Sequence, residues 1–243
     1  DYTGTIGIKV NNTEDGIILG KVTAYDTLSN VNQYKSLVDR YFIITDAEKI
    51  YSTSADTGVT GVTGTMHLVG TKDDNNNRST VDYHNTHTGF NVSNAASLKI
   101  LDVIIVNAIS KTAGAVVNNS GALSITNTDF KNNTTTVSDN SIGGVITNMK
   151  SGIIGSKDST DGSTGLIGIA FKDNRSQNLD GNALGGALYS AGYIDGVDAT
   201  FVGNYAQSSK NASGAGIYNI GTINLINGSF TTNFAISGNN DAY

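Results

Sequence analysis

The chain has 243 residues, contains no proline, cysteine or tryptophan, and carries a net charge of −6. The negative charge and the lack of a basic run argue against binding to nucleic acid or to an anionic membrane. The absence of cysteine excludes disulfides and thiolate chemistry, and no apolar run approaches the roughly 20 residues of a transmembrane helix. Short aliphatic runs recur between Asn, Thr, Ser and Gly, a pattern that disordered segments lack.

Residues 1–64 are predicted to form an N-terminal cap and the first coils of a stack of strands. Apolar residues recur there at helical spacing, with Ser29 as the N-cap, and predict one short helix over about residues 30–40. These residues are Leu28, Val31, Tyr34, Leu37, Val38 and Tyr41. A cap is expected because the open end of a stack exposes strand edges and core. A separate binding subdomain is the alternative interpretation.

Residues 65–243 carry two repeated motifs. The first is Phe, two residues and Asn, and a fifth copy has Ile104 in place of Phe and ends at Asn107. Its four complete copies begin at Phe130, Phe171, Phe201 and Phe230 and end at Asn133, Asn174, Asn204 and Asn233. The second motif is a group of small residues followed by an aliphatic residue. Its four aliphatic residues are Val116, Ile146, Leu188 and Ile217.

The spacing between the two motifs is nearly constant. The aliphatic residue precedes Phe by roughly 13–14 residues in the first repeat and in the last two. Ile146 precedes Phe171 by roughly 25 residues, which indicates an insertion of about a dozen residues in the second repeat. A unit this short buries its apolar side only by stacking on its neighbours, about 4.8 Å apart. The sequence therefore predicts an all-β fold, a parallel β-helix.

Stacking in this register predicts which residues form columns through the coils. The four Phe residues and the four aliphatic residues of the second motif are predicted to form the repeat core. Two Asn ladders are predicted to join the coils by hydrogen bonds between side-chain amides. The first ladder is Asn133, Asn174, Asn204 and Asn233, and the second is Asn118, Asn148, Ser190 and Asn219.

The two motifs also carry a family resemblance. Gly185-Gly186-Ala187-Leu188 and Phe201 to Asn204 resemble the signature of the polymorphic outer-membrane protein group of autotransporters, over roughly residues 104–240. The resemblance implies a right-handed β-helical passenger domain on a Gram-negative surface, with roles in adhesion or autoaggregation. It also implies a membrane β-barrel in the parent protein, although nothing after Asn240 resembles one. Gly238-Asn239-Asn240 is typical of a further turn, and we expect the natural protein to continue.

Few residues are arranged for catalysis or metal binding. The close acidic pairs, Asp73 with Asp74 and Asp158 with Asp161, are interpreted as solvated loop residues, with a cation site as the alternative. The three histidines, His67, His84 and His87, are interpreted as surface residues. The segment from Gly162 to Gly165 lacks the strand–turn–helix context of a serine nucleophile. The sequence predicts no enzyme activity, no catalytic or metal-binding residue and no cofactor.

Insertions are the remaining candidates for function, because a solenoid tolerates variation at its corners. Three segments are predicted to form an exposed contact surface: Ser156–Gly165, Thr134–Ser141 and Asp173–Asn182. In the first, the candidate binding residues are Lys157, Asp158, Asp161 and Ser163.

The sequence and the resemblance together predict an extracellular bacterial adhesin or structural passenger. Its expected partner is a cell-surface protein, a glycan or another copy of the chain, with no nucleic acid and no membrane insertion of this fragment. The alternative is a glycan-active β-helix enzyme, a polysaccharide lyase or glycosidase, which a cleft of acidic and basic side chains on one face would favour.

Overall fold

A computed structural model describes residues 61–72, 75–158 and 164–238, together with the backbones of three strands between residues 17 and 51. The helix predicted over about residues 30–40 lies outside this part, apart from Arg40, which begins a strand. The described part contains strands and turns.

The strands are short and follow one another with few intervening residues. The first nine are β1 (Ile17–Lys21), β2 (Arg40–Ile43), β3 (Lys49–Tyr51), β4 (Thr65–Val69), β5 (Ser79–Asp82), β6 (Phe90–Val92), β7 (Ser97–Leu101), β8 (Val103–Val106) and β9 (Ile109–Ser110). The next ten are β10 (Val117–Asn119), β11 (Ala122–Thr126), β12 (Asp129–Lys131), β13 (Thr134–Thr136), β14 (Asn140–Ile142), β15 (Ile146–Asn148), β16 (Ile153–Ile154), β17 (Leu166–Ile167), β18 (Ala170–Lys172) and β19 (Arg175–Asn178). The last ten are β20 (Asn182–Leu184), β21 (Leu188–Ser190), β22 (Tyr193–Val197), β23 (Thr200–Val202), β24 (Tyr205–Ser208), β25 (Ala212–Ser213), β26 (Ile217–Asn219), β27 (Thr222–Ile226), β28 (Ser229–Thr231) and β29 (Phe234–Ser237).

These strands form five parallel sheets, which the chain visits in the same order in each full coil. Sheet 1 contains β1, β2, β4, β7, β11, β16 with β17, β22 and β27. Sheet 2 contains β3, β5, β8, β12, β18, β23 and β28, and sheet 3 contains β9, β13, β19, β24 and β29. Sheet 4 contains β14, β20 and β25, and sheet 5 contains β6, β10, β15, β21 and β26. The predicted all-β fold of stacked parallel strands is confirmed as a β-solenoid of about six turns.

The interior is divided into a large apolar core and a small one. Sheets 1, 2 and 5 supply the aliphatic and aromatic side chains of the main core, such as Leu98, Phe171 and Leu188. Sheets 3 and 4 enclose small residues, including Ala183 and Ala206. We call sheets 3 and 4 the flange. Because its interior side chains are so small, the two sheets of the flange pack closely.

The flange corrects the prediction that Thr134–Ser141 and Asp173–Asn182 are inserted loops. Both segments contain strands of sheets 3 and 4 that pair in parallel with neighbouring coils. Hydroxyl groups join the two sheets inside: the Ser176 hydroxyl donates to Ser141 Oγ at 3.0 Å. The segments resemble loops in composition because a flange this thin has room for Ser, Thr and Ala.

The corner between sheets 2 and 3 requires a left-handed backbone conformation in every repeat. The residue after each sheet 2 strand has φ between 49° and 63° in five successive coils, at Asn107, Asn132, Asp173, Gly203 and Thr232. Asn, Asp and Gly tolerate this conformation, whereas the β-branched Thr232 is strained there. The left-handed residue of the Phe-x-x-Asn motif is therefore the one before the ladder Asn.

The glycine pair of the second motif lies where the chain leaves the flange. Gly185 lies between β20 and β21 with φ of +73°, a left-handed conformation that glycine adopts without strain. A Cβ on Gly186 would lie 2.1 Å from the carbonyl oxygen of Ala215 and 2.5 Å from that of Tyr205. The second glycine is thus required by close packing of the returning chain against the backbone of the next coil.

We expect Gly186→Ala to lower the free energy of unfolding by about 1–3 kcal/mol, because backbone atoms must move to admit the methyl group. The control is Gly216→Ala, whose Cβ would meet the Phe230 ring at 3.1 Å, a side chain that has room to move. This control is expected to change stability by less than about 0.5 kcal/mol. Urea unfolding followed by circular dichroism measures both, and equal losses would contradict this reading of the glycine pair.

Candidate functional site

The four Phe residues of the first motif lie in one column of sheet 2. Their ring centroids are 5.1, 4.8 and 4.7 Å apart, and each ring is within 15° of parallel to the next. Phe130, Phe171 and Phe201 are fully buried, whereas Phe230 is 53% exposed. Ile105, rather than the predicted Ile104, continues the column below Phe130. The column fixes the register of successive coils because a slip of one residue would turn every ring outward.

The Asn residues three positions after each Phe form a hydrogen-bonded ladder beside this column. Asn174 Oδ1 accepts from the backbone N–H and from Nδ2 of Asn133, both at 3.0 Å. Asn174 Nδ2 donates to Asn204 Oδ1 and to the Phe130 carbonyl, both at 3.0 Å. Asn233 continues the ladder by accepting from Asn204. A fully buried amide thus satisfies all its polar groups through coils on both sides.

The second predicted ladder is wrong by one residue in its first coil. Asn119, not Asn118, pairs with Asn148, and its Nδ2 donates to Asn148 Oδ1 at 2.9 Å. Asn148 Nδ2 then donates to Ser190 Oγ at 3.1 Å, and Asn219 lies opposite Ser190 in the next strand. Asn118 lies opposite Thr147 instead.

The same shift applies to the aliphatic column. Val117 pairs with Ile146, which is followed by Leu188 and Ile217, while Val116 is buried one position earlier. Val117 is as far from Phe130 along the chain as the aliphatic residue is from Phe in each of the last two repeats. By residue type, Val-Val-Asn-Asn permits two registers; the spacing to Phe130 favours Val117, and the strand pairing has that register.

The insertion of the second repeat splits one strand of sheet 1 into two halves. It separates β16 from β17, and Lys157 and Asp158 are exposed on it. The two halves pair in register with the same strand below: Leu123 with Ile154, and Ile125 with Leu166. Of the candidate binding residues, Asp161 and Ser163 lie outside the described residues. The solenoid therefore carries this segment without a change of register on either side.

A buried carboxylate lies at the base of this insertion. Asp195, in the middle of β22, accepts from Thr164 Oγ1 at 3.1 Å and from Asn224 Nδ2 at 2.9 Å. Thr164 belongs to the insertion, so this contact ties its end to the next coil. Desolvation raises the pKa of Tyr193, and the carboxylates of Asp195 and Asp158 raise it further. No feature of the sequence marks Asp195 as a buried residue, so it was not among the predicted site residues.

Aromatic residues also stack along the outer faces of the last coils. The rings of Tyr189 and Tyr218 are 5.8 Å apart on sheet 5, and those of Tyr205 and Phe234 are 5.5 Å apart on sheet 3. The Arg175 guanidinium lies 5.5 Å from the Tyr205 ring centre. Burial raises the pKa of Tyr189, and Tyr218 raises it further. The recurrence of Tyr directly after Leu188 and Ile217 was the available signal for the first pair.

The remaining candidates do not converge on a common site. His67 lies on β4 and is 7% exposed, so its interpretation as a surface residue is wrong. His84 is exposed in a turn with φ of 52°. Asp73 and Asp74 lie outside the described residues. In the described part of the chain, no group of three or more His, Cys, Asp or Glu residues is placed to hold a metal ion.

A search of the described residues for a long apolar helix able to cross a membrane found none. Comparison of the chain with protein-family models, with curated proteins and with solved structures gives no match.

Proposed function

We propose that the chain is an adhesive or structural stalk of a bacterial cell surface, which presents binding segments on a repetitive scaffold. Its partner in this proposal is a cell-surface protein, a glycan or another copy of the chain. The proposal includes right-handed winding, the hand that connections between parallel strands of one sheet almost always take. It also includes an N-terminal cap and the passenger role that the family resemblance implies.

This proposal rests mainly on one observation: the solenoid accommodates an insertion between β16 and β17. Residues 155–165 leave strand pairing intact on both sides, with Leu123 opposite Ile154 and Ile125 opposite Leu166. A scaffold that tolerates a segment of this size is suited to varying an exposed surface while its core stays unchanged. Lys157 and Asp158 supply exposed charges of both signs for polar contacts.

The ladders support the mechanical part of the proposal. From the coil of Phe130 to that of Phe230, each coil is joined to the next by backbone pairing, by the stacked rings and by the amide ladder. Each coil contacts only its neighbours, so a stack can gain coils without a change in the others. The length of the stack is therefore set by the number of coils. Such a scaffold holds a binding segment at a set distance from its attachment point.

The test is a variant in which residues 155–165 are replaced by a single Asn. The interrupted strand then reads Ile-Ile-Asn-Leu-Ile, close to the Thr-Ile-Asn-Leu-Ile of the uninterrupted β27. The new Asn replaces the donor that Thr164 provides to Asp195. We expect folding to be retained, with the urea midpoint unchanged or higher, because a long loop is removed from a paired strand.

Fluorescent beads are coated with the intact chain or with the shortened variant. Their binding is measured on a glycan array and on cultured cells. We expect beads with the intact chain to bind and those with the shortened variant to lose at least about tenfold in binding, equivalent to about 1.4 kcal/mol. A control replaces Lys150 and Ser151, exposed residues of the preceding turn, with Ala and is expected to bind normally. Undiminished binding by the folded shortened variant argues against display by this segment, and release of sugar ends from polysaccharide argues for an enzyme.

A further inference from the structure

Tyr189 and Tyr218 form a pair of phenol rings on the outer face of sheet 5. They lie opposite each other in β21 and β26, and their ring centroids are 5.8 Å apart with 13° between the planes. The neighbours of Tyr189 along β21, Leu188 and Ser190, are buried, whereas both tyrosines are partly exposed. The pair is therefore accessible to small reagents from the side of the solenoid.

Strand pairing holds the two rings next to each other. The flanking pairs, Leu188 with Ile217 and Ser190 with Asn219, have the same register as the tyrosines. Paired strands are about 4.8 Å apart, so the two tyrosines stay adjacent as long as β21 and β26 remain paired. Burial raises the pKa of Tyr189, and the phenol of Tyr218 raises it further, which is consistent with two neighbouring hydroxyl groups.

Two adjacent phenols can undergo a reaction that is closed to a phenol beside a phenyl ring. A one-electron oxidant, such as the haem of a peroxidase, converts a phenol to a phenoxyl radical by removing one electron and one proton. The unpaired electron is shared with the ring carbons adjacent to the C–O carbon, and two such radicals couple there. Each of the other stacked pairs described above contains a phenylalanine, as in Tyr205 with Phe234.

We propose that Tyr189 and Tyr218 are an oxidative cross-linking site, at which hydrogen peroxide and a haem peroxidase join the two rings as dityrosine. Each phenol loses one electron and one proton, and a carbon–carbon bond forms between one ring carbon of each. The hydrogen on each coupled carbon then moves to the phenol oxygen, which restores both aromatic rings. One hydrogen peroxide takes up the two electrons and two protons and becomes two water molecules.

The cross-link joins two successive coils outside the core. It closes a loop of roughly 29 residues, and a covalent link of this kind lowers the conformational entropy of the unfolded chain. Oxidation therefore stabilises the stack against unfolding. The proposal is independent of what the insertion at residues 155–165 binds.

The experiment treats the full 243-residue chain with hydrogen peroxide and a haem peroxidase, in buffer and in unfolding concentrations of urea. Dityrosine fluorescence and mass spectrometry of proteolytic peptides identify the products. In buffer we expect a monomer that is lighter by two hydrogen atoms and cross-linked between Tyr189 and Tyr218. The yield of this cross-link is expected to fall at least about tenfold in urea, because the fold no longer holds the rings together.

Tyr189→Phe is the matched variant, since it keeps an aromatic ring in the stack and removes the phenol. Before oxidation its urea midpoint is expected to equal that of the intact chain. Oxidation is expected to raise the midpoint of the intact chain and to leave that of the variant unchanged.

Phe234→Tyr tests whether position alone is sufficient. It supplies a second phenol to the pair with Tyr205, whose rings are 5.5 Å apart, and is expected to gain a cross-link there. Equal yields from the folded and the unfolded chain would overturn the proposal. So would cross-links that involve Tyr193 as often as Tyr189, or oxidation that joins separate chains and leaves the two rings uncoupled.

Discussion

Asn174→Ala is expected to lower the free energy of unfolding by about 3–5 kcal/mol. The substitution removes the acceptor of the Asn133 N–H and Nδ2 and the donor to the Phe130 carbonyl. All three groups are buried, and each buried group left unsatisfied costs about 1–3 kcal/mol before relaxation. Urea unfolding monitored by circular dichroism measures the loss.

Asn91→Ala is the control for this prediction. Asn91 lies in the middle of β6 and is exposed, so its removal is expected to change stability by less than about 0.5 kcal/mol. Because each coil contacts only its neighbours, faster hydrogen exchange in the Asn174 variant should concentrate in the coils that contain Asn133 and Asn204. A loss no larger than that of the control would show that the amide ladder does not stabilise the stack.

Phe171→Ala is expected to lower the free energy of unfolding by about 3–5 kcal/mol, because it leaves a cavity in a fully buried site between two stacked rings. The rings of Phe130 and Phe201 cannot close the gap, because strand pairing keeps each of their coils about 4.8 Å from the coil of Phe171. Thermal and urea unfolding of the variant give the magnitude.

The same substitution at Phe230 is the matched control, since this ring stacks on a neighbour on one face and is 53% exposed. Phe230→Ala is expected to lower the free energy of unfolding by less than half as much as Phe171→Ala. The Phe230 ring is already half exposed to water in the folded state, so the substitution removes less buried apolar surface. Similar losses at the two positions would contradict the difference in burial between the two rings.

Much of the fold follows from periodicity. The repeated Phe-x-x-Asn motif and the preceding aliphatic residue predict stacked coils, because one short unit has no other way to bury its apolar side. The positions of Phe130, Phe171, Phe201 and Phe230 follow from that stacking. The predicted alignment of the first repeat is wrong: Val116-Val117-Asn118-Asn119 offers two registers by residue type, and the spacing to Phe130 alone favours the second, which the strand pairing has.

The flange shows a second limit of sequence reasoning. Thr134–Ser141 and Asp173–Asn182 have the composition of loops, yet their strands pair with neighbouring coils and enclose small side chains. Hydrophobic alternation is weak when the interior is too thin for large residues, so periodicity did not distinguish strands from turns there.

The sequence by itself determined the repeat, the identity of the stacked rings and the Asn ladder beside them, because these depend on spacings that recur along the chain. The tertiary structure decided the register of the first repeat, the closed flange and the burial of Asp195 beneath the insertion. Each of these depends on which residue of another coil lies opposite, and that pairing is a contact between residues roughly 25–45 positions apart, beyond the reach of local patterns.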